Sequence, residues 1–291
     1  LGGKAPRSSL YHLGEFWAKV IENINVEGIA LTASKENESL TIEFIDMRAG
    51  ELLNKIWSEF NLCILCSGTL KPLDAFTEII GLNNYLGKVF PSPYSEKNVA
   101  SFITKGLSTK GEELTDAMGE KYIEALENFI RFLNTNIAIF ASSYRVQNKL
   151  LNLGLKEIIK RYNREVFIEE QKMPGEEGRK IMKKFKACAE KNQKGVLIGV
   201  MGGRFAEGAD FPEEQLEGIF LVGIPFEKPT IKTQLYIEYY SKLYGKEKGR
   251  YYAYILPALK RASQALGRAL RLKDDYATMV LGDERYIHYL E

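Results

Sequence analysis

Short apolar runs alternate with longer amphipathic segments from residue 116 to residue 281 of this 291-residue sequence. Five runs rich in Val, Ile, Leu and Phe have the length of buried strands, at 137–140, 166–168, 196–200, 219–222 and 278–281. Segments with helical periodicity lie between or after them, at 116–133, 144–153, 178–189, 231–244 and 256–272. Strands that alternate with helices favour a parallel sheet. The pattern therefore predicts an α/β fold, with a mainly parallel sheet covered by helices on both faces.

The first sixty residues have a different pattern. Residues 9–24 carry a helical apolar stripe that begins beside a serine, which predicts an amphipathic helix. Two short apolar runs, 28–32 and 40–45, flank a polar turn and predict a hairpin. Residues 52–60 again show helical spacing. A helix, a hairpin and a second helix are therefore expected before the sheet.

An apolar run at 62–66 leads directly into Ser67, Gly68 and Thr69. We expect a buried strand whose carboxyl end offers backbone N–H groups and hydroxyls, which are suitable contacts for phosphate. The alternative is an ordinary turn between a strand and a helix. Cys63 and Cys66 lie inside this run and are interpreted as strand residues, because no second Cys or His pair is near in sequence to complete a metal site.

One helical segment near the end of the chain carries the most distinctive polar residues. Gln264, Arg268 and Arg271 are spaced at i, i+4 and i+7, so one continuous helix would place them on a common face. Gly267 lets another group approach the backbone there. Arginine binds phosphate oxygens bidentately and stays charged. Nucleotide hydrolases use it to neutralise the charge that develops on the transferred phosphoryl group. The alternative is an amphipathic helix whose arginines face water.

A glycine-dense, charged turn at 202–212 follows the predicted strand 196–200. In open α/β sheets ligands bind at the carboxyl ends of the strands, so this turn is expected to border a ligand site. A second notable stretch, at 90–94, contains two prolines that favour a rigid, extended backbone. Its last residue, Tyr94, is either a platform for stacking on a base or an ordinary surface aromatic.

Four sequence blocks, taken in order, resemble the XPD-like superfamily-2 DNA helicases, the group that includes the bacterial DinG-type enzymes. The blocks are Ser-Gly-Thr-Leu-Lys-Pro-Leu at 67–73, Phe-Ala-Ser-Ser-Tyr at 140–144, the glycine-rich block 203–211, and Gln-x-x-Gly-Arg-x-x-Arg at 264–271. The last two are the most specific, and the resemblance spans most of the chain. It implies a second RecA-like motor domain at 61–291, with residues 1–60 at the junction with an amino-terminal motor half.

The resemblance also implies roles for individual residues. Arg268 and Arg271 would act as catalytic residues on the ATP phosphates, and Gln264 would sense the γ-phosphate. Nucleotide contacts are implied for Glu207, Gly208, Asp210 and Gly267. Contacts to single-stranded DNA are implied for Ser67, Thr69, Ser142, Ser143 and Tyr144. We further predict DNA contacts for Gly68, Arg204 and Tyr94. The implied activity is ATP-dependent 5′–3′ DNA unwinding, with DNA repair as the expected process.

The sequence lacks two motifs that a complete motor needs. It has no Gly-x-x-x-x-Gly-Lys-Ser/Thr phosphate loop and no Asp-Glu-x-His, so this chain alone is predicted to be inactive. ATP with magnesium would be held mainly by the amino-terminal half. The resemblance places an iron–sulfur cluster in that half, and none is expected on the three cysteines of this chain. The expected partners are single-stranded DNA and the amino-terminal half, in a monomer.

Composition is compatible with a soluble globular protein, with 45% apolar and 27% charged residues. No signal peptide or membrane span is predicted, so the expected location is the cytoplasm, or the nucleus in a eukaryote. The net charge of +2 does not by itself require a nucleic-acid partner. Two other classes remain open: a nucleic-acid-binding module without a motor partner, and, more weakly, a nuclease or phosphatase whose acidic residues lack paired metal-ligand spacing.

Overall fold

A computed structural model of the chain describes residues 8–111, 113–191, 193–207, 211, 215–270 and 272–290, with the backbone alone at 36, 207 and 290. Its strands are β1 (Ile29–Glu36), β2 (Ser39–Asp46), β3 (Val99–Ile103), β4 (Ile137–Ala141), β5 (Glu165–Ile168), β6 (Gly195–Val200), β7 (Gly218–Val222) and β8 (Ala277–Gly282). Its helices are α1 (Ser9–Asn23), α2 (Ala49–Trp57), α3 (Leu73–Ile79), α4 (Asp116–Phe132), α5 (Tyr144–Asn152), α6 (Leu155–Arg161), α7 (Gly175–Glu190), α8 (Arg204–Glu207), α9 (Ile231–Tyr244), α10 (Lys246–Arg250), α11 (Leu256–Leu266) and α12 (Ile287–Leu290).

The chain divides into two compact units. The first contains the described residues up to Lys88 together with Glu227–Leu256, and the second contains the described residues of Val89–Phe226 and those from Pro257 onward. Each unit has its own buried cluster of apolar residues. The sequence analysis divides the chain elsewhere, between residues 60 and 61, where the motor domain is predicted to begin. That division stays a prediction.

In the first unit, β1 and β2 pair antiparallel over their whole length, from Ile29 opposite Asp46 to Glu36 opposite Ser39. The predicted hairpin is thus confirmed, with longer strands and a tighter turn. Asn37 makes that turn at a φ of 53°, a left-handed conformation that asparagine tolerates better than most residues. Tyrosines of α9 and of the π-helical turn Tyr251–Ile255 pack with the end of β2 in the core of this unit.

Residues 62–66 form no strand, so the prediction of a buried strand was wrong. Leu62 is 77% exposed and Ile64 is 81% exposed, and the thiols of Cys63 and Cys66 are also exposed. A strand is stable only when a neighbouring strand satisfies its N–H and C=O groups. Within the described residues, no strand pairs with this run, so its apolar composition alone does not order it as a strand.

The second unit is built on a six-stranded sheet in the order β3-β8-β7-β4-β6-β5. Every neighbouring pair is parallel, which confirms the predicted α/β fold. Strand β3 is not among the five strands predicted from the sequence. It pairs with β8 at one edge of the sheet, where its short, partly polar sequence is half-exposed.

Alternating side chains of the central strand β4 point to opposite faces of the sheet. Ala138 and Phe140 belong to one apolar cluster, which α7 and α11 cover, while Ile137, Ile139 and Ala141 belong to the other, which α4, α5 and α6 cover. Every residue of β4 is buried. The continuous apolar run therefore reflects a strand covered on both sides, as predicted for a parallel sheet.

Candidate functional site

The carboxyl ends of the parallel strands β4 and β6 bring two of the predicted segments, 140–144 and 203–211, to one edge of the sheet. The N–H of Ser142 extends the pairing with β7 by donating to the carbonyl oxygen of Val222 at 2.9 Å. Ser143 is the N-cap of α5, and its hydroxyl oxygen accepts a hydrogen bond from the N–H of Val146 at 3.3 Å. The start of α5 places the half-buried ring of Tyr144 at the same edge.

Glu169, the first residue after β5, is the chemical centre of this edge. Its side chain is almost fully buried, and its carboxylate accepts hydrogen bonds from the N–H of Arg204 at 2.6 Å and the N–H of Val200 at 3.5 Å. The N–H of Phe205 and the hydroxyl of Tyr144 also lie close enough to this carboxylate to act on its pKa. One carboxylate thus joins the segments that follow β4, β5 and β6.

Burial and hydrogen bonding have opposite effects on the pKa of this carboxylate. Burial raises the pKa of Glu169, while the hydrogen bonds from three backbone N–H groups and Tyr144 lower it, with burial the larger effect. The same environment acts on its partner, because burial and the nearby Glu169 carboxylate raise the pKa of Tyr144 to about 12. Tyr144 is therefore a neutral hydrogen-bond donor at physiological pH.

Two glycines leave room for the carboxylate. A Cβ on Gly203 would lie 2.5 and 2.7 Å from the two carboxylate oxygens of Glu169, and one on Gly199 would lie 2.7 Å from the nearer oxygen. These distances are too short for a side chain. The glycines of β6 and of the turn that follows it are therefore required by the buried carboxylate.

Arg268 contacts the same turn from the other side. Its Nε–H donates to the carbonyl oxygen of Ala206 at 2.5 Å, so the end of the predicted arginine motif lies against α8. Its side chain is half-buried, and Ala206 is buried. The structure therefore brings together two sequence blocks, 203–211 and 264–271, that are far apart in the chain.

The arginine motif is not one continuous helix, which corrects the prediction for residues 256–272. Helix α11 ends at Leu266, a 3-10 turn spans Gly267–Ala269, and Leu270 is extended. Glycine lowers helix propensity, and its position at the end of α11 fits this change. Arg271 lies outside the described residues. Its predicted place on a face shared with Gln264 and Arg268 assumed one continuous helix, and α11 ends before these arginines, at Leu266.

The remaining residues of the predicted site differ in their surroundings. Gln264 is exposed on α11, and a Cβ added to Gly267 would meet no other atom within 4 Å. The hydroxyl of Tyr94 donates to the carbonyl oxygen of Leu270 at 3.0 Å, which ties the proline-containing stretch to the residue before Arg271. Gly208 and Asp210 lie outside the described residues, as does the side chain of Glu207.

The side chain of Arg204 runs along the start of α7. Its Nη2 donates to the carbonyl oxygen of Met173 at 3.4 Å, and its Cδ would lie 2.9 Å from a Cβ on Gly178. The side chain is exposed, while its backbone N–H is bound to Glu169. Arg204 thus combines an exposed guanidinium with a fixed backbone.

Ser67, Gly68 and Thr69 belong to the first unit. The hydroxyls of Ser67 and Thr69 lie 3.2 Å apart, and the N–H of Thr69 donates to the Ser67 hydroxyl oxygen at 3.3 Å, so the three residues form a compact exposed turn. Helix α3 begins four residues after Thr69, with Pro72 as its N-cap. The turn is therefore not a side-chain cap of the helix that follows.

Sequence reasoning missed Glu169. A signal was available, because a carboxylate directly follows a short apolar strand, and such positions lie at the ligand-binding edge of a parallel sheet. Its partners, however, are backbone N–H groups around Arg204, which no sequence spacing relates to Glu169. The hydrogen bonds are visible only once β5 and β6 are paired.

Neither a metal site nor a membrane-spanning helix occurs in the part of the chain that the structure describes. No group of three or more His, Cys, Asp or Glu side chains there could hold a metal ion. No helix there is long and apolar enough to span a bilayer. The third cysteine, Cys188, is buried in the apolar cluster beneath α7.

Comparisons with known proteins agree with this architecture. Residues 126–289, more than half of the chain, match the family described as the helicase C-terminal domain. The chain is 26% identical over 260 residues to the general transcription and DNA repair factor IIH helicase subunit XPD/RAD3 of Saccharomyces cerevisiae, covering 84% of this chain and 32% of that protein. It is 27% identical over 294 residues to the ATP-dependent DNA helicase DinG of Photobacterium profundum, covering 96% of this chain and 40% of that protein.

A solved apo structure of XPD has the same fold. It aligns with 99% of this chain and 60% of its own chain, at a TM-score of 0.68 and 17% sequence identity. The chain thus spans about a third of the length of the curated relatives it matches. On the family match, the relatives and the parallel sheet, the chain belongs to the family of helicase C-terminal domains and is a carboxyl-terminal half of the XPD type.

Proposed function

We propose that this chain is the second motor domain of an ATP-dependent 5′–3′ DNA helicase. The observation that carries the proposal is the contact between Arg268 and the carbonyl oxygen of Ala206. It joins the arginine motif to the glycine-rich turn at the carboxyl edge of a parallel sheet, which is the edge where α/β proteins bind their ligands. The relatives named as ATP-dependent helicases support the same activity for the complete protein.

Arg268 and Arg271 would supply positive charge to the ATP phosphates, with Gln264 beside them. The hydrogen bond from Nε to Ala206 holds the guanidinium of Arg268 in one orientation. A guanidinium that is oriented before the reaction stabilises developing charge without further reorganisation. Glu207, Gly208, Asp210 and Gly267 are proposed to border the nucleotide.

Single-stranded DNA would be held through its backbone. Hydroxyls and backbone N–H groups are typical phosphate contacts, and they carry no sequence information. In the second unit the proposed contacts are Ser142, Ser143, Tyr144, Tyr94 and Arg204, whose guanidinium is exposed. In the first unit they are Ser67, Gly68 and Thr69, which form an exposed turn.

The complete enzyme would need groups that this chain does not supply. We propose that an amino-terminal motor half holds most of the contacts to ATP and magnesium, because the phosphate-loop motif is not in this sequence. An iron–sulfur cluster in that half, a monomeric helicase, a role in DNA repair and a cytoplasmic or nuclear location belong to the same proposal.

The test is to join the chain to an amino-terminal helicase half of the XPD type and to measure phosphate release with and without single-stranded DNA. DNA-stimulated hydrolysis, together with 5′–3′ unwinding of a tailed duplex, is the expected result. Single-strand binding without any hydrolysis would instead support the alternative, a nucleic-acid-binding module with no motor partner.

A further inference from the structure

A series of contacts leads from Tyr144 to Arg268 along the carboxyl edge of the sheet. The hydroxyl of Tyr144 faces the Glu169 carboxylate, which acts on the pKa of this tyrosine. That carboxylate accepts from the N–H of Arg204, the first residue of α8, at 2.6 Å. Two residues further along the same short helix, the carbonyl oxygen of Ala206 accepts from Nε of Arg268 at 2.5 Å.

We propose that Glu169 is a positioning residue that couples DNA contact at Tyr144 to the orientation of Arg268. This inference rests on the proposed function, which assigns Tyr144 to DNA contact and Arg268 to phosphate contact. The connection itself rests only on the contacts described above. Glu169 touches neither proposed ligand and acts through α8.

The surroundings of Glu169 suit a rigid connection. Its side chain is 2% exposed, and its own carbonyl oxygen accepts a hydrogen bond from Nε2 of Gln147, on α5, at 2.7 Å. Gly199 and Gly203 approach the carboxylate so closely that neither could carry a Cβ. A displacement of the carboxylate is therefore expected to move the backbone N–H of Arg204, which is hydrogen-bonded to it at 2.6 Å.

The groups around the Glu169 carboxylate favour a specific role for this residue over simple filling of the core. The neighbouring groups are donors: the N–H of Val200 at the end of β6, the N–H groups of Arg204 and Phe205 at the start of α8, and the hydroxyl of Tyr144. Among these four groups, the hydroxyl of Tyr144 belongs to a side chain. A movement of this ring on DNA contact would change its contact with the carboxylate, and the bond from the N–H of Arg204 would transmit the change to α8.

The coupling can be measured in the 291-residue chain by NMR of the arginine Nε–H groups, with the Arg268 signal assigned through Arg268→Lys. Tyr144→Phe removes a single hydroxyl and is expected to shift the Arg268 signal. In a Glu169→Gln background the same change is expected to produce no further shift, because the connection is already altered. Glu170→Gln, the same chemical change at the exposed neighbouring position, is the control and is expected to preserve the shift.

An equal shift in the wild-type and Glu169→Gln backgrounds, or no shift in either, would overturn the proposal. Thermal unfolding of each variant checks that it is folded. If Glu169→Gln does not fold, Tyr144→Phe in the wild-type chain decides the question, since an unmoved Arg268 signal contradicts the coupling. The measurement involves neither ATP nor DNA, so its outcome is independent of the proposed function.

A second readout uses the complete helicase. Glu169→Gln is expected to lower the ratio of DNA-stimulated to basal phosphate release, by a factor on the order of 5–150, the usual range for coupling between two sites. Glu170→Gln should leave the ratio unchanged. An unchanged ratio in Glu169→Gln contradicts the coupling, whereas absence of hydrolysis in the wild-type helicase contradicts the proposed function and leaves the NMR result standing.

Discussion

The Nε–H of Arg268 donates a hydrogen bond of 2.5 Å to the carbonyl oxygen of Ala206, although 62 residues separate them in the chain. The bond fixes the arginine motif against the turn that follows β6. That turn is held on its other side by the buried carboxylate of Glu169. The geometry of the proposed nucleotide site therefore depends on a turn that is anchored on both sides.

Gly203→Ala is expected to destabilise the second unit. The added Cβ would lie within 2.7 Å of both carboxylate oxygens of Glu169 and 2.8 Å from a methyl group of Val200. Such overpacking costs about 1–3 kcal/mol in the free energy of unfolding. Urea unfolding followed by circular dichroism measures it. Gly267→Ala, where the added Cβ meets no other atom, is the control, and equal stability of the two variants would show that the turn is not held as described.

Acid should weaken the first unit through Asp46. The Arg48 guanidinium, which donates to this carboxylate at 2.8 and 3.0 Å, lowers the pKa of Asp46 below its ordinary value. A lowered folded-state pKa means that the ion pair stabilises the fold above the unfolded-state pKa, about 3.9. This contribution is lost as the pH falls further, through the folded-state pKa.

Asp46→Asn should therefore lower the free energy of unfolding at pH 7, by about 1 kcal/mol, and this difference should shrink as the pH falls through the folded-state pKa of Asp46. Urea unfolding followed by tryptophan fluorescence checks this, because both tryptophans, Trp17 and Trp57, lie in the first unit. Parallel stability curves for the wild type and the variant over the whole acid range would contradict the role of the ion pair.

Binding of single-stranded DNA by this chain should be weak, sensitive to salt and nearly independent of sequence, because the proposed contacts are to the backbone. Arg204→Ala should weaken it and reduce the slope of log affinity against log salt concentration by about 0.7, the value for one phosphate contact on a single strand. Fluorescence anisotropy at several salt concentrations measures both. Arg131→Ala, at the exposed end of α4 just before β4, is the control and should change neither.

The isolated chain should not hydrolyse ATP at a DNA-stimulated rate. The expectation follows from the missing phosphate-loop motif. In nucleotide hydrolases this motif binds the β- and γ-phosphates and contributes to magnesium binding, and it is not in this sequence. Phosphate release by the purified chain, with and without single-stranded DNA, measures it. Robust turnover would mean that the motor half has been assigned incorrectly.

The parallel sheet could be predicted from the sequence because its central strands are apolar throughout. β4, β6 and β7 are covered on both faces, so a run of Val, Ile, Leu and Phe identifies each of them. The same criterion failed at 62–66, which is equally apolar but has no partner strand within the described residues. It also gave no clear signal for β3, whose edge position allows polar residues.

The candidate site could be predicted only in part. The arginine motif and the glycine-rich turn are recognisable as sequence blocks, and the structure brings Arg268 to Ala206. The end of α11 at Leu266 was missed because helical spacing continues through Gly267, while the backbone changes to a 3-10 turn. Glu169 was missed because its partners are backbone groups, whose positions depend on the pairing of β5 with β6.

The most direct test of the proposed function is DNA-stimulated phosphate release by the complete helicase carrying Arg268→Ala. An arginine that stabilises phosphoryl transfer contributes on the order of 10³–10⁵ in rate, and Arg268→Lys should rescue poorly because an ammonium group lacks the planar fork. Circular dichroism and single-strand binding, with Arg131→Ala as a control, verify that the variant is folded. The account predicts near-complete loss of turnover with retained DNA binding, and near-normal turnover in Arg268→Ala would contradict it.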